Sequence, residues 1–257
     1  MKLSFTLGPF KAGLFAEKEN KKVIIYLPES NMLDTLKKAG KENFNNSEED
    51  KKRLKAYIEK RSTSSFWKDD PGYLFIKKYL PEGEISLIDI GCNVGNLPFY
   101  LKAENLWNRI SYMGTDLLPV FVELAAEALP EGVFFVSDIQ EDVIEESFDV
   151  VLTKGTIIST FDPIKSLKNV LSVPSKQTML IHTAISDEVT SGEKFYNILV
   201  TDKDNIYTSS VLSKKAFFEE VKAFGFSVKE MNKRPGKVEV QNKGVYHLYD
   251  FVLEKKD

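Results

Sequence analysis

The chain has 257 residues, 42% of them hydrophobic, a formal net charge of −3 and a single cysteine. That length can bury one sizeable core, the slight acidity leaves no electrostatic footprint for nucleic acid, and one cysteine excludes an intrachain disulfide. The apolar run near the first residue is too short for a secretory signal, and no stretch approaches the roughly 20 apolar residues of a spanning helix, so a cytoplasmic location is expected.

From the N-terminus, two short apolar runs, Phe10 to Phe15 and Val23 to Leu27, flank a charged segment and suggest a hairpin. A polar stretch from Lys37 to Lys60 follows, with Ser47 placed to cap a charged helix through Glu59. Residues 1–60 are therefore expected to form a small accessory element, joined near Arg61–Ser65 to a main domain of residues 61–257. Phe66 to Phe75 combines large aromatics with Asp69 and Asp70 ahead of a helix to Leu80. Trp67 and Tyr73 are either substrate contacts or aromatics that pack this helix on the sheet.

Ser86 to Asn96 is the most informative stretch. Leu87, Ile88 and Ile90 read as a buried parallel strand, Gly91 and Gly95 supply a turn, and Asn96 opens a helix. The spacing Asp89-x-Gly91-x-Asn93-x-Gly95 lacks the Gly-x-Gly opening that a dinucleotide site needs, which counts against an NAD-dependent oxidoreductase. Twenty-one residues after Gly95 a short strand, Tyr112 to Asp116, ends in an acid. That is close to the offset of about 20 residues expected of a ribose-binding carboxylate. Asp116 can accept ribose hydroxyls, cap the apolar-periodic run Leu117 to Leu129, or do both.

Further strands are expected from Val133 to Asp138, Ser147 to Lys154, Thr178 to Ala184, Phe226 to Met231 and Val245 to Glu254, with a helix from Lys214 to Phe224 stopped by Gly225. The long segment Ser186 to Leu212, carrying Phe195, Tyr196 and Tyr207, is a connection of a length that usually holds lid or functional structure.

The glycine loop with this spaced series resembles the class I S-adenosylmethionine (SAM) dependent methyltransferases over roughly residues 72–254, whose first motif often has Asn at the middle glycine. The resemblance implies an α/β fold: a doubly wound, mostly parallel seven-stranded sheet with helices on both faces. It implies SAM as cofactor, held by Asp89, Gly91, Asn93, Gly95, Asn96, Asp116 and Leu117. Asp138 would meet the adenine amino group, Ile139 would cover the ring, and Thr153, with Lys154 and Gly155, would sit beside the substrate at the strand end that faces the methyl group. Strand ends converging on one crevice would bring these distant residues together.

Methyl transfer needs an in-line nucleophile and, for a hydroxyl, a route for its proton. Lys154, His182 and Asp187 are the catalytic candidates, with Asp162 behind them; the other reading of His182 is a hydrogen-bonded core residue. Trp67, Tyr73, Lys154 and Tyr196 are the candidate substrate contacts. The Thr-Lys-Gly-Thr sequence after the fourth strand lacks the Asn/Asp-Pro-Pro-Tyr/Phe cluster of amino-directed relatives, and neither metal-ligand spacing nor a cysteine nucleophile is present at the acceptor side, so no metal is expected. The expectation is O-methylation of a small-molecule or glycan acceptor, without nucleic acid or membrane partners and with a homodimer allowed. The alternatives are an NAD-dependent oxidoreductase and a non-catalytic SAM-binding scaffold.

Overall fold

The computed structural model describes residues 4–7, 10–13, 23–27, 48–63, 69–189, 192–202, 205–240 and 244–256. The N-terminal part contributes β1 (Ser4–Leu7), β2 (Phe10–Gly13), β3 (Val23–Leu27) and α1 (Glu48–Thr63). Next come α2 (Pro71–Tyr79), β4 (Ile85–Ile90), α3 (Asn96–Ala103), β5 (Ile110–Asp116), α4 (Pro119–Ala128) and β6 (Val133–Val136). The central part follows with β7 (Phe148–Lys154), α5 (Pro163–Ser172), β8 (Ser175–Ser186), β9 (Phe195–Asp202) and β10 (Asn205–Ser213). The chain closes with α6 (Lys214–Ala223), β11 (Phe226–Lys233), β12 (Val238–Val240) and β13 (Gly244–Lys255).

β6, β5, β4, β7 and β8 lie side by side and parallel; β13 joins β8 antiparallel, and β11 joins β13. An antiparallel strand inserted before the last one departs from the 3-2-1-4-5-6 order of dinucleotide-binding sheets. Side chains alternate across the sheet as the two-residue period of a strand requires. Leu87, Val150, Leu152, Met179, Ile181 and Val252 face α2 and α3, where they meet Ile76, Tyr100 and Leu101. Ile88, Ile90, Val151, Leu180, Phe251 and Leu253 face α5 and α6, where they meet Leu167, Leu171, Phe217 and Val221. Burial on both faces explains the near-continuous apolar strands.

Helix starts follow from local chemistry. Asp70 caps α2 by accepting Gly72 N and Tyr73 N, with Pro71 at the first position; Asp162 caps α5 by accepting Lys165 N; Ser213 caps α6 through Ala216 N. α6 is stopped by Gly225 at φ 74, a conformation that favours glycine.

Three expectations need correction. Among the described residues the sheet has eleven strands, because β3, β9, β10 and β12 add to the seven expected. Ser186 to Leu212 holds the β9–β10 hairpin, attached to β8 where Leu212 and Ser213 pair with Ile185 and Ser186. Phe10–Gly13 and Val23–Leu27 do not form a hairpin with each other: β2 pairs with β1, and β3 pairs with β9, satisfying an edge that would otherwise leave backbone donors unpaired. α1 runs unbroken across residue 60. Its Ile58 packs with Val94, Val120, Phe121 and Leu124, and its Lys51 and Lys55 pair with Glu123 and Glu127 on α4. Ser47 lies outside the described residues.

Candidate active site

The loop after β4 is fixed by its own backbone. Gly91 N and Cys92 N both donate to Thr115 O, at 2.7 and 2.8 Å. Gly91 has φ 80, and a Cβ there would stand 2.0 Å from Thr156 Oγ1. The close approach that requires this glycine is therefore to a side chain of the protein itself. Asn93 adopts φ 54 with its Oδ1 accepting Val94 N at 2.8 Å, a left-handed turn that Asn tolerates and that accounts for Asn at a glycine position.

Asp116 at the end of β5 accepts Asn93 N at 2.9 Å through Oδ2 and Leu118 N at 3.0 Å through Oδ1. It makes an Asx turn ahead of α4, whose N-cap position is Leu118. Burial pushes its carboxyl up, against the pull of the Leu118 and Asn93 N–H groups. Each oxygen keeps a lone pair for a further donor. Beside it Leu117 is 42% exposed and Val136, at the end of β6, is 50% exposed, so apolar surface borders the crevice. Asp138 closes the turn after β6, accepting Gln140 N at 3.0 Å, while Ile139 is buried in the core with Ile144 and Phe148. Asp89 is buried, accepts the Tyr112 hydroxyl at 3.0 Å and is pushed up to about 7, chiefly by burial. Burial likewise raises the Cys92 thiol, leaving it unreactive.

Two polar atoms at the junction of β4 and β7 need a partner. Thr153, paired in register with Ile90, and Asn96, the first residue of α3, each bury a side-chain oxygen with no hydrogen bond among the described residues. Such atoms cost about 1–3 kcal/mol each when left unsatisfied. The junction is also the point where crossovers diverge to opposite faces, the usual ligand crevice of an open α/β sheet.

A second polar cluster lies beside it. Lys154 Nζ stands 3.1 Å from Asp70 Oδ2 and 4.6 Å from the centre of the Tyr73 ring, which packs 4.9 Å from Tyr100. Burial would raise Asp70, but Lys154 and the N–H groups of Gly72 and Tyr73 hold it below the usual carboxylate range. A Cβ on Gly72 would fall 2.6 Å from Arg234 Nη2 and 3.0 Å from Lys154 Cε, so both cations lie against the first turn of α2. His182, next to the Ile181 that pairs with Lys154, is lowered to about 4 by burial and then by the Arg234 and Lys154 charges. It is neutral at pH 7.

The structure thus brings Tyr73, Lys154 and His182 together with Asp70 and Arg234. Three candidates fall elsewhere. Asp187 is exposed and pairs with Lys214 at 2.9 Å, five residues or about 16 Å along the strand direction from His182. Asp162 is the cap of α5, where its carboxylate is committed to a backbone N–H. Tyr196 is 3% exposed in an apolar cluster with Ala184, Ile198 and Val211. Trp67 lies outside the described residues. Arg234 and Asp250 escape a sequence reading; the available signal is an acid interrupting the apolar run Leu248 to Leu253, which demands a buried partner.

Residues 88–179 match the family model described as a methyltransferase domain. No curated protein matches the chain in sequence. Among solved structures, a SAM-dependent methyltransferase from Methanosarcina mazei superposes with TM-score 0.53 at 17% identity, covering 70% of this chain and 96% of its own. A 1,6-didemethyltoxoflavin-N1-methyltransferase from Burkholderia thailandensis, with S-adenosylhomocysteine (SAH) bound, gives 0.53 at 13% identity over 94% and 99% of the two chains. CalS10, an amino pentose methyltransferase from Micromonospora echinaspora, gives 0.50 at 15% identity over 79% and 97%. At these identities the likeness is one of fold.

Proposed function

We propose that the chain is a class I SAM-dependent methyltransferase acting on an oxygen of a small-molecule or glycan acceptor, a reading supported by the methyltransferase-domain model matched over residues 88–179. Its cofactor is SAM, which when bound supplies an electrophilic methyl group. The observation that carries the placement is the pair of buried, partnerless oxygens on Asn96 and Thr153 at the β4–β7 junction. In this reading Asp116 accepts the ribose hydroxyls, Leu117 and Asp138 meet the adenine while Ile139, buried in the core, backs that wall, and Asp89, Gly91, Asn93, Gly95 and Asn96 form the wall for the amino-acid end.

The acceptor then enters beside Lys154, Asp70, Tyr73 and His182. Neutral His182 accepts the hydrogen bond of the acceptor hydroxyl and orients its lone pair. With its basicity lowered by burial and two cations, His182 takes the proton only late, so positioning supplies most of the acceleration, on the scale of about 7–11 kcal/mol for well-oriented reactants. Lys154 steadies the developing negative charge on the acceptor oxygen. A nitrogen acceptor is the second reading, favoured by the structural neighbour that is an N1-methyltransferase. Among the described residues no helix is long and apolar enough to cross a membrane.

The test is SAH release from SAM in the presence of separate panels of hydroxylated compounds, amino sugars and nitrogen heterocycles. Turnover confined to hydroxyl acceptors supports the proposal; turnover confined to nitrogen acceptors favours the second reading, and release with none of them counts against both.

A further inference from the structure

β8 and β13 keep register on either side of one irregularity. Tyr249 faces Thr183 and Phe251 faces Leu180, so Ile181 and His182 on β8 stand opposite Asp250 alone. Two residues against one is a β-bulge, which bends a strand and re-aims its side chains. His182 absorbs the extra residue at φ 63, a left-handed conformation uncommon outside glycine but adopted by His, Asn and Asp more often than by other residues.

The N–H that the bulge removes from the ladder is recovered by a side chain: His182 N donates to Asp250 Oδ1 at 2.9 Å. Asp250 is fully buried, and Arg234 closes on it with Nε 3.0 Å from both oxygens, while Asn232 Nδ2 adds a contact at 3.4 Å. Arg234 Nη2 is 2.9 Å from Oδ1 but off the line of a hydrogen bond, and it rests on the first turn of α2 at Gly72. The charges that bear on the imidazole come from four elements: Arg234 just past β11, Lys154 at the end of β7, Asp250 on β13 and Asp70 at the cap of α2. A buried ion pair is a weak source of net stability but a strong determinant of local geometry when one partner also satisfies a backbone donor.

We propose that Asp250 and Arg234 are positioning residues: their buried pair holds the bulge that presents the His182 imidazole beside Lys154 and Asp70. The consequence for catalysis rests on the acceptor cluster assigned above; the geometry itself can be tested without an acceptor.

The chain has two histidines, so ¹⁵N-labelled imidazoles can be followed separately by NMR, with His247→Gln assigning the other. His182 is expected to stay neutral in the wild type down to about pH 4. Arg234→Gln should raise its midpoint by about one unit or more, and Arg234→Lys should bring it at least halfway back, because the lysine restores the charge. Asp250→Asn, which keeps an acceptor for His182 N but loses the ion pair, should shift the ring resonances while SAH affinity stays within about twofold. A wild-type midpoint near the ordinary value of about 6.5 would overturn the proposal. So would a His182 titration and ring resonances unchanged in folded Arg234→Gln and Asp250→Asn. Absence of SAH binding to the wild type would instead sink the methyltransferase reading and leave the titration result standing.

Discussion

Asp116 and Asn93 form one unit: the carboxylate at the end of β5 accepts the backbone N–H at the left-handed corner of the glycine loop at 2.9 Å. The acid proposed for the ribose thus also sets the loop proposed for the amino-acid end. Loss of Asp116 therefore acts twice, once on the contact and once on the shape of the loop.

Asp116→Ala is expected to weaken SAH binding by at least about 1.5 kcal/mol, the loss of a charged hydrogen-bond acceptor, or roughly tenfold in affinity. Calorimetry on the folded variant checks this. Unchanged affinity would remove Asp116 from the cofactor site.

Lys154→Met should leave SAH affinity within about twofold but lower turnover at least tenfold with any acceptor the screen returns, since it removes charge from the acceptor side. The same variant frees Asp70 from its charge partner at 3.1 Å, so the Asp70 carboxyl should titrate higher. A matching loss of SAH affinity would place Lys154 on the cofactor instead.

Gly91 and Gly155 share a positive φ, 80 and 76, but differ in surroundings. A Cβ at Gly91 meets Thr156, whose hydroxyl donates to Ile90 O at 2.9 Å, whereas one at Gly155 has nothing within 4 Å. Gly155→Ala should cost only the left-handed strain, roughly 1–2 kcal/mol. Gly91→Ala should cost at least about 2 kcal/mol more for the clash. Thermal unfolding of both variants decides it, and equal losses would contradict the packing described.

The pH dependence of stability should carry a signature from Asp89. Its folded pKa of about 7 lies above the unfolded value of about 3.9, so the folded state holds a proton that the unfolded state has lost. That contribution is fully present below the unfolded value and disappears as pH rises through 7. His182 acts with opposite sign: lowered to about 4, it destabilises the fold as pH falls from about 6.5 towards 4. Asp89→Asn keeps an acceptor for Tyr112 and should gain on the wild type in Tm from pH 5 to pH 8. Parallel Tm curves would show that Asp89 is ionised in the fold throughout.

What the sequence discloses is what local chemistry controls. The strand, glycine turn and helix around Asp89 to Asn96 and the offset to Asp116 follow from strand period and turn residues, and they stand close to where the spacing places them. Asp162-Pro163 is equally local, and its meaning is a helix start; an acid before proline at the head of an apolar-periodic run is first of all a cap. The bulge is beyond such reasoning, because His182 and Asp250 are 68 residues apart and meet only once β8 and β13 are in register. The pairing of Val23–Leu27 with Asn197–Thr201 is more distant still, and it makes a sheet edge out of a segment that looks like a self-contained hairpin. Tyr196 shows the converse: an aromatic in a long connection invites a functional role, and the β9–β10 hairpin gives it a core.

The central claim is a SAM-specific crevice at the β4–β7 junction, and thermal unfolding with excess SAH, with excess NAD and with neither tests it most directly. A ligand at 100 times its dissociation constant adds about 2.7 kcal/mol, or roughly 5–10 °C for a protein of this size. A rise of that order with SAH alone is the predicted result; a rise with NAD alone, or with neither at concentrations saturating for such sites, would contradict it.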